Sequence, residues 1–324
     1  MIELAAIEAA RERIADVAVR TPLVRLRIDD APAEIYLKLE TLQPINSFKI
    51  RGAANAIRSA PPETLNQGLL TASAGNMAQG VAWVARELGL PATIAVPEHA
   101  PEAKIAAIKR LGGRVLPMPY EDWWQAIVTS RIEGMDGLFV HPVQDEAVMA
   151  GNGTIGLEIL EDLPDPDAVV IPFGGGGLTV GIASAVKALS SQTKIYTAEP
   201  ETGAAFSAAF AAGEPVEIPY EASFVDGSGS RRVLDTMWPR LQPLVDGAFA
   251  VPIADAADAV RTLAERIRVI AEGAGALAPA AALAGGAGTG KVVCIVSGGN
   301  INLAKLAEIL TAPGDGERPP GDRG

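Results

Sequence analysis

The chain has 324 residues, 48% of them hydrophobic, and a net charge of −12. That length supports a large buried core and two domains. An acidic chain without a basic run excludes nucleic acid and an anionic membrane surface as expected partners, and a single cysteine, Cys294, leaves no intramolecular disulfide. A cytoplasmic location is the matching expectation. The N-terminal stretch "MIELAAIEAARERIADVAVR" is amphipathic and interrupted by charges, so it predicts a helix and not a signal peptide. From there, short apolar runs alternate with helix-like segments. "AEIYLKL" predicts a strand and "IRGAANAIRSA" a helix. "LLTASAG" leads from a strand into the helix "MAQGVAWVAREL". "ATIAVPE" and "GRVLPMP" predict strands, followed by helices over "PEAKIAAIKRLG" and "YEDWWQAIVTSRIE". "AVVIPFG" predicts a strand before the helix "LTVGIASAVKAL", and "KIYTAEP", "GAFAVPI" and "KVVCIVSGG" complete the strands. This βαβα rhythm argues for parallel sheets wrapped by helices, an α/β fold. The charge-free run from Ala168 to Val186 is long enough to consider as a membrane span, but it holds Pro172 and four consecutive glycines. It reads as a buried strand, a loop and a helix.

One lysine raises a question. In "LQPINSFKIRGAANAI", Lys49 stands between Phe48 and Ile50. Lysines beside apolar residues usually lie along the surface with the ammonium in water. The alternative is a desolvated amine with a lowered pKa, as a Schiff-base lysine requires. This stretch alone leaves both readings open.

The strongest local signal is "VVIPFGGGGLTVGIASAVKAL". A buried strand ends at Phe173, and Gly174, Gly175, Gly176 and Gly177 precede a helix. Backbone N–H groups can converge there without side chains in the way, at the positive end of a helix dipole, which makes a phosphate cradle. Four adjacent glycines are costly in backbone entropy, which argues against an idle turn. No G-x-G-x-x-G lies over them, so this is not the dinucleotide fingerprint. "GGAGTGKV" from Gly285 nearly matches a P-loop, but Val292 replaces the required hydroxyl and the segment precedes a strand, so it reads as a surface loop.

Two further loops stand at predicted strand ends. In "TASAGNMAQG", Ser73, Ala74, Gly75, Asn76 and Met77 lead into a helix, where a carboxylate could be received by backbone N–H groups; an ordinary helix cap is the plainer reading. In "CIVSGGNINL", Ser297 to Asn300 follow a strand's carboxyl end, where α/β folds place ligands, though a simple turn would look the same. His99 and His141 are far apart and have no cysteine partners, so a zinc or haem site has little to use. No G-x-S-x-G is present.

Taken in this order, these residues resemble the fold type II pyridoxal-phosphate enzymes, specifically the threonine/serine dehydratase (ammonia-lyase) and serine racemase group. The resemblance runs from "RTPL" at Arg20 to "SGGNIN" at Asn302. It implies a two-domain fold of the tryptophan synthase β type. The large cofactor-binding domain would comprise 1–51 and 146–311, the small domain 52–145, and 312–324 would be a disordered tail. It implies pyridoxal 5'-phosphate as cofactor, an amino-acid substrate and a homodimer. Lys49 in "NSFKIRGA" would be the Schiff-base lysine and Phe48 would pack near the ring. Gly174 to Gly177 would hold the phosphate, Asn76 would bond the phenolic oxygen and Ser297 would face the pyridine nitrogen. Ser73, Ala74, Gly75, Asn76 and Met77 would surround the substrate carboxylate. "EGAGA" at Glu272 resembles a segment close to the active site. A hydroxyl partner leaves the pyridine nitrogen unprotonated and the electron sink weak. That suits loss of a β-hydroxyl, giving a 2-oxo acid and ammonia from L-threonine or L-serine.

Departures from the family pattern shape this expectation. Ala74 stands where racemases of the group carry a second serine, which favours elimination over inversion. Met77 replaces the usual histidine and points to a different or bulkier side-chain pocket. Glu199 in "AEPETGAAF" matches one acidic ligand of a divalent cation (Mg, Ca or Mn), but Ala205 falls where the second is expected, so Glu199 serves either as a ligand or as a structural carboxylate. A C-terminal regulatory domain is not expected. The runners-up are a 3-hydroxyaspartate or other 3-hydroxy amino acid lyase, then a serine racemase. A β-replacing synthase fits the asparagine loop less well. A non-catalytic binding protein on the same fold has no need of Lys49. "SFVDGSGSRR", Ser223 to Arg232, is a candidate wall for the substrate side chain, with Arg231 or Arg232 either pairing with a second carboxylate or lying on the surface.

Overall fold

The structure is a computed structural model that describes residues 1–312. The chain opens with helix α1 (Leu4–Ile14), the short strand β1 (Leu23–Arg25) and β2 (Glu34–Leu39). It continues through α2 (Lys49–Ser59), α3 (Pro62–Leu65), β3 (Leu69–Ala72), α4 (Asn76–Leu88), β4 (Ala92–Pro97) and α5 (Glu102–Arg110). Next come β5 (Arg114–Met118), α6 (Tyr120–Thr129), β6 (Leu138–Phe139), α7 (Glu146–Asp162), β7 (Ala168–Pro172) and α8 (Gly177–Leu189). The last part holds β8 (Lys194–Pro200), α9 (Ala205–Ala212), α10 (Trp238–Leu241), β9 (Gly247–Val251), α11 (Ile253–Ile267), α12 (Gly273–Leu283), β10 (Lys291–Val296) and α13 (Leu303–Thr311). The charge-free run resolves into β7, a glycine turn and α8. The "GGAGTGKV" segment is the loop entering β10. All of the expected tail except Ala312 lies outside the described residues.

Two sheets organise these elements. The larger has strand order β1-β2-β10-β7-β8-β9, parallel except for the β1–β2 pair; the smaller, β5-β4-β3-β6, is wholly parallel. Strands covered on both faces read as continuous apolar runs, and β7 and β10 show why. Val169, Ile171, Val293 and Ile295 face one core with residues of α1, α7 and α8. Ala168, Val170, Val292, Cys294 and Val296 face the other core with α11 and α12. Cys294 is therefore core, and burial pushes its thiol pKa up. The smaller sheet is covered likewise: Leu70, Ala72 and Ala95 pack toward α6, Ile94 and Val96 toward α4 and α5.

A buried ionic cluster fixes α2, the helix that begins at Lys49. Arg51 donates Nε to Glu40 Oε2 (2.8 Å) and Nη1 to Glu158 Oε1 (2.6 Å), and Lys38 Nζ reaches Glu158 Oε2 at 2.6 Å. Lys38 also donates to the Thr21 carbonyl at 2.6 Å. Two cations and two carboxylates thus tie α2 to β2 and α7. Buried charges persist only when paired and hydrogen-bonded in this way.

Candidate active site

The carboxyl ends of β3, β4, β7 and β10 converge on one cavity of about 340 Å³. It is a size suited to a small ligand. Its lining includes Phe48, Lys49, Ser73, Ala74, Gly75, Asn76, Met77, Gly174 to Gly177 and Ser297. Each residue expected at the cofactor or the substrate carboxylate is there; Glu199 is not.

Lys49 is the first residue of α2. Its Nζ donates to the Pro142 carbonyl at 3.0 Å and stands 5.1 Å from the Phe48 ring centroid. The side chain retains access to the cavity, but surrounding protein strips most water from the amine and lowers its pKa to about 8; the Glu272 carboxylate pulls weakly the other way. An amine poised near neutrality is a competent nucleophile. The segment before it is held by the segment after β10: Phe48 N–H donates to the Ser297 carbonyl at 3.0 Å and Gly299 N–H to the Asn46 carbonyl at 2.9 Å. Two stretches some 250 residues apart are thereby set side by side.

The glycine turn is shaped by close approach. A Cβ on residue 175 would lie 2.7 Å from Val143 Cγ1, and Gly176 has φ +91°, a conformation that only glycine adopts without strain. Gly176 caps α8, whose first N–H groups have no partner within the helix. Across the cavity, Gly75 stands before α4, and the Ser73 hydroxyl accepts from Gly75 N–H at 3.2 Å. Asn76 donates Nδ2 to Glu272 Oε1 at 2.8 Å and accepts from Asn300 Nδ2 at 2.8 Å. Met77 is buried among Ile50, Val81 and their neighbours while still reaching the cavity. Ser297 closes the floor at the end of β10.

Other residues line the cavity that sequence reading did not single out: Lys104, Trp123, Pro142 and Val143. They lie on helices and loops with no motif to mark them. Glu272, singled out only by its segment, is buried, and that burial raises its pKa to about 7. Of the "SFVDGSGSRR" segment, Asp226, Gly227 and Ser228 line the wall. Neither arginine does so: Arg232 is on the surface, bonded to Asp235 at 2.9 Å and to the Pro215 carbonyl at 2.8 Å. Lys104 Nζ meets Asp226 Oδ2 at 2.5 Å, joining α5 to this segment.

Glu199 lies elsewhere, buried at the end of β8. Its carboxylate accepts from Phe206 N–H (3.0 Å), Ser207 N–H (2.8 Å) and the Ser207 hydroxyl (3.0 Å) at the start of α9. Burial raises its pKa to about 7. Among the described residues, no group of three or more His, Cys, Asp or Glu side chains is arranged to hold a metal ion. The geometry favours the structural alternative for Glu199, because its oxygens are committed to a helix N-terminus.

A buried lysine with a lowered pKa, a four-glycine turn at a helix N-terminus and the Ser73–Asn76 loop thus meet at the carboxyl ends of parallel strands, the arrangement expected of an enzyme with a lysine-attached cofactor. Comparison with known proteins names the cofactor. Residues 14–298 match the family described as pyridoxal-phosphate dependent enzyme, and the chain belongs to it. Over 316 residues it is 39% identical to an L-threonine ammonia-lyase of Thermotoga maritima, covering 96% of this chain and 78% of the relative. It is 35% identical over 319 residues to an L-threonine dehydratase of Staphylococcus aureus, covering 96% and 92%. Among solved structures, maize serine racemase superposes with a TM-score of 0.87 at 33% identity, over 94% of this chain and 96% of the other. The processed threonine deaminase isoform 2 of Solanum lycopersicum also gives 0.87, at 34% identity over 96% and 92%. The fold is that of the fold type II group, and pyridoxal phosphate is the cofactor. The residues present fit it: the lowered amine suits a carbonyl, and the turn that a Cβ at 175 would obstruct suits a phosphate.

Proposed function

We propose that this protein is an ammonia-lyase that converts a 3-hydroxy amino acid, L-threonine or L-serine, to a 2-oxo acid and ammonia. The observation that carries the reading is the placement of Lys49, the Gly174–Gly177 turn and the Ser73–Asn76 loop around one cavity. When bound, the cofactor withdraws electrons from the substrate Cα. Lys49 would hold the cofactor, and its free amine would be the base for the substrate Cα proton. The glycine turn and the α8 N-terminus hold the phosphate. The N–H groups at the start of α4 receive the substrate carboxylate. Asn76 and Ser297 orient the ring. The Cα proton and the β-hydroxyl leave as water. The released enamine then takes up water, yielding the 2-oxo acid and ammonia.

Ala74 carries no hydroxyl to exchange a proton, which supports elimination over racemisation. A second substrate carboxylate would need a spare cation in the wall. Lys104 is held by Asp226, which supports a neutral substrate side chain over a 3-hydroxyaspartate. The division into 1–51 with 146–311 and 52–145 belongs to the same proposal: carboxylate binding by the Ser73 loop draws the smaller unit inward. Superposable sheets in ligand-free and ligand-bound crystals would count against that closure. A homodimer is the proposed assembly. Among the described residues, no helix is long and apolar enough to cross a membrane.

The test is 2-oxo acid and ammonia release by the cofactor-loaded protein on a panel of 3-hydroxy amino acids. Turnover on L-threonine or L-serine, absent in Lys49→Ala, supports the reading. No turnover on any of them overturns it.

A further inference from the structure

His141 is buried just after β6. It is 4% exposed; its Nε2 makes no close hydrogen bond, and the acceptor it faces is the Ile127 carbonyl. Its Nδ1 accepts from Val143 N–H at 3.0 Å and from Gln144 N–H at 2.9 Å. Nδ1 is therefore the unprotonated nitrogen, and the neutral ring carries its proton on Nε2. Burial holds the ring's pKa down to about 4 against the opposing pull of the Ile127 carbonyl, with a smaller contribution from the Lys49 charge, so Nδ1 remains an acceptor across ordinary pH. Nδ1 is the ring nitrogen with two short hydrogen bonds, and both come from backbone N–H groups of one turn.

What Nδ1 holds is the turn between β6 and α7. Pro142, inside the turn, offers its carbonyl to Lys49 Nζ at 3.0 Å. Val143, the next residue, forms the wall behind the glycine turn: a Cβ on residue 177 would lie 2.7 Å from the Val143 carbonyl oxygen, and one on residue 175 would lie 2.7 Å from Val143 Cγ1. At the far end of the turn, the Asp145 carboxylate caps α7 by accepting from Ala147 N–H at 2.8 Å. The turn is thus pinned at both ends, and its middle touches both the amine and the phosphate cradle.

We propose that His141 is a positioning residue whose Nδ1, by accepting two backbone N–H groups, sets Pro142 against Lys49 and Val143 against the glycine turn, and so couples the amine to the phosphate site. This rests on the reading that Lys49 holds the cofactor. Without the acceptor, the turn relaxes, Val143 withdraws and water reaches the amine. Since burial is the largest cause of the lowered Lys49 pKa, that pKa then rises.

The test compares His141→Asn, whose side-chain carbonyl can accept the same two N–H groups, with its isostere His141→Leu, which cannot. Three readouts are taken: thermal unfolding, affinity for pyridoxal phosphate, and the pH dependence of Lys49 acylation in cofactor-free protein. We expect both variants to unfold cooperatively. His141→Leu should lose tenfold or more in cofactor affinity, and its Lys49 should titrate nearer the ordinary value of 10.5. His141→Asn should stay within threefold of the parent, with Lys49 near 8. Equal behaviour of the two variants, or an unmoved Lys49 titration in His141→Leu, overturns the proposal. If His141→Leu does not fold, His141→Asn decides alone: loss of affinity with a raised Lys49 pKa overturns it, and retention of both supports it. Failure of Lys49 as the cofactor's attachment point shows separately, as unchanged cofactor absorbance in Lys49→Ala.

Discussion

The amide of Asn76, on a helix of the smaller sheet, donates to the Glu272 carboxylate beneath the larger sheet, across 2.8 Å. Asn300 completes the link from the other side, donating to Asn76 Oδ1 at 2.8 Å and to the Ile45 carbonyl at 2.9 Å. Burial keeps this carboxyl from ionising easily, so its proton is part of the folded state's energetics. Its pKa is about 7 when folded, against 4.5 in a free chain. Below pH 4.5 both states hold the proton and its contribution is fully present. As pH rises through 7 the contribution is lost, because the unfolded chain ionises first. We expect cofactor-free Glu272→Gln to show a flatter stability curve between pH 4.5 and 7, by on the order of 3 kcal/mol. Denaturant titrations across that range check it; parallel curves for the two proteins would refute it.

Gly175→Ala should damage the phosphate cradle without unfolding the protein. The new methyl meets Val143, and such overpacking costs about 1–3 kcal/mol. Cofactor affinity should fall about tenfold or more. Adding Val143→Ala makes room and should return part of it. Equilibrium titration of the three proteins with pyridoxal phosphate measures both effects.

Glu158→Gln removes the carboxylate shared by Arg51 and Lys38. Breaking a buried pair by deleting one partner costs about 3–5 kcal/mol. The denaturation midpoint should drop accordingly. A loss below about 1 kcal/mol would mean that water enters and resolvates the cations.

Lys104→Ala breaks an ion pair that is 33% exposed on one side and 57% on the other. Exposed pairs contribute less than about 1 kcal/mol to stability, so unfolding should scarcely change. Lys104 and Asp226 both line the cavity, however, and they bridge the two sides of its wall. KM for substrate should rise severalfold while kcat holds. A parallel fall of both kcat and stability would point to a structural role instead.

The strands and helices were legible because parallel sheets buried on both faces leave unbroken apolar runs, as in "KVVCIV" and "AVVIP". The glycine turn was legible because it breaks a local rule; Lys49 alone left two readings open, and the resemblance carried by the ordered motifs chose between them. Val143 and His141 were not legible. Val143 is an ordinary apolar residue, and what matters is its approach to Gly175, which only the folded chain creates. The Asn76–Glu272 bond spans 196 positions, beyond any periodicity or motif. Arg232 was open between a second substrate carboxylate and the surface; the structure places it on the surface, paired with Asp235 three residues on, a choice its charge alone did not make.

The order of the larger sheet bears on how the protein is made. β10 lies between β2 and β7, yet it is formed by residues 291–296. Until that stretch has left the ribosome, β2 and β7 have no neighbour on their shared side and the floor of the cavity, Ser297, does not exist. The nascent chain holds two apolar strand edges open until residues 291–296 emerge, a situation that invites mispairing. The gap between β2 and β7 is closed by the last strand of the sheet to be made, and the cavity is completed with it.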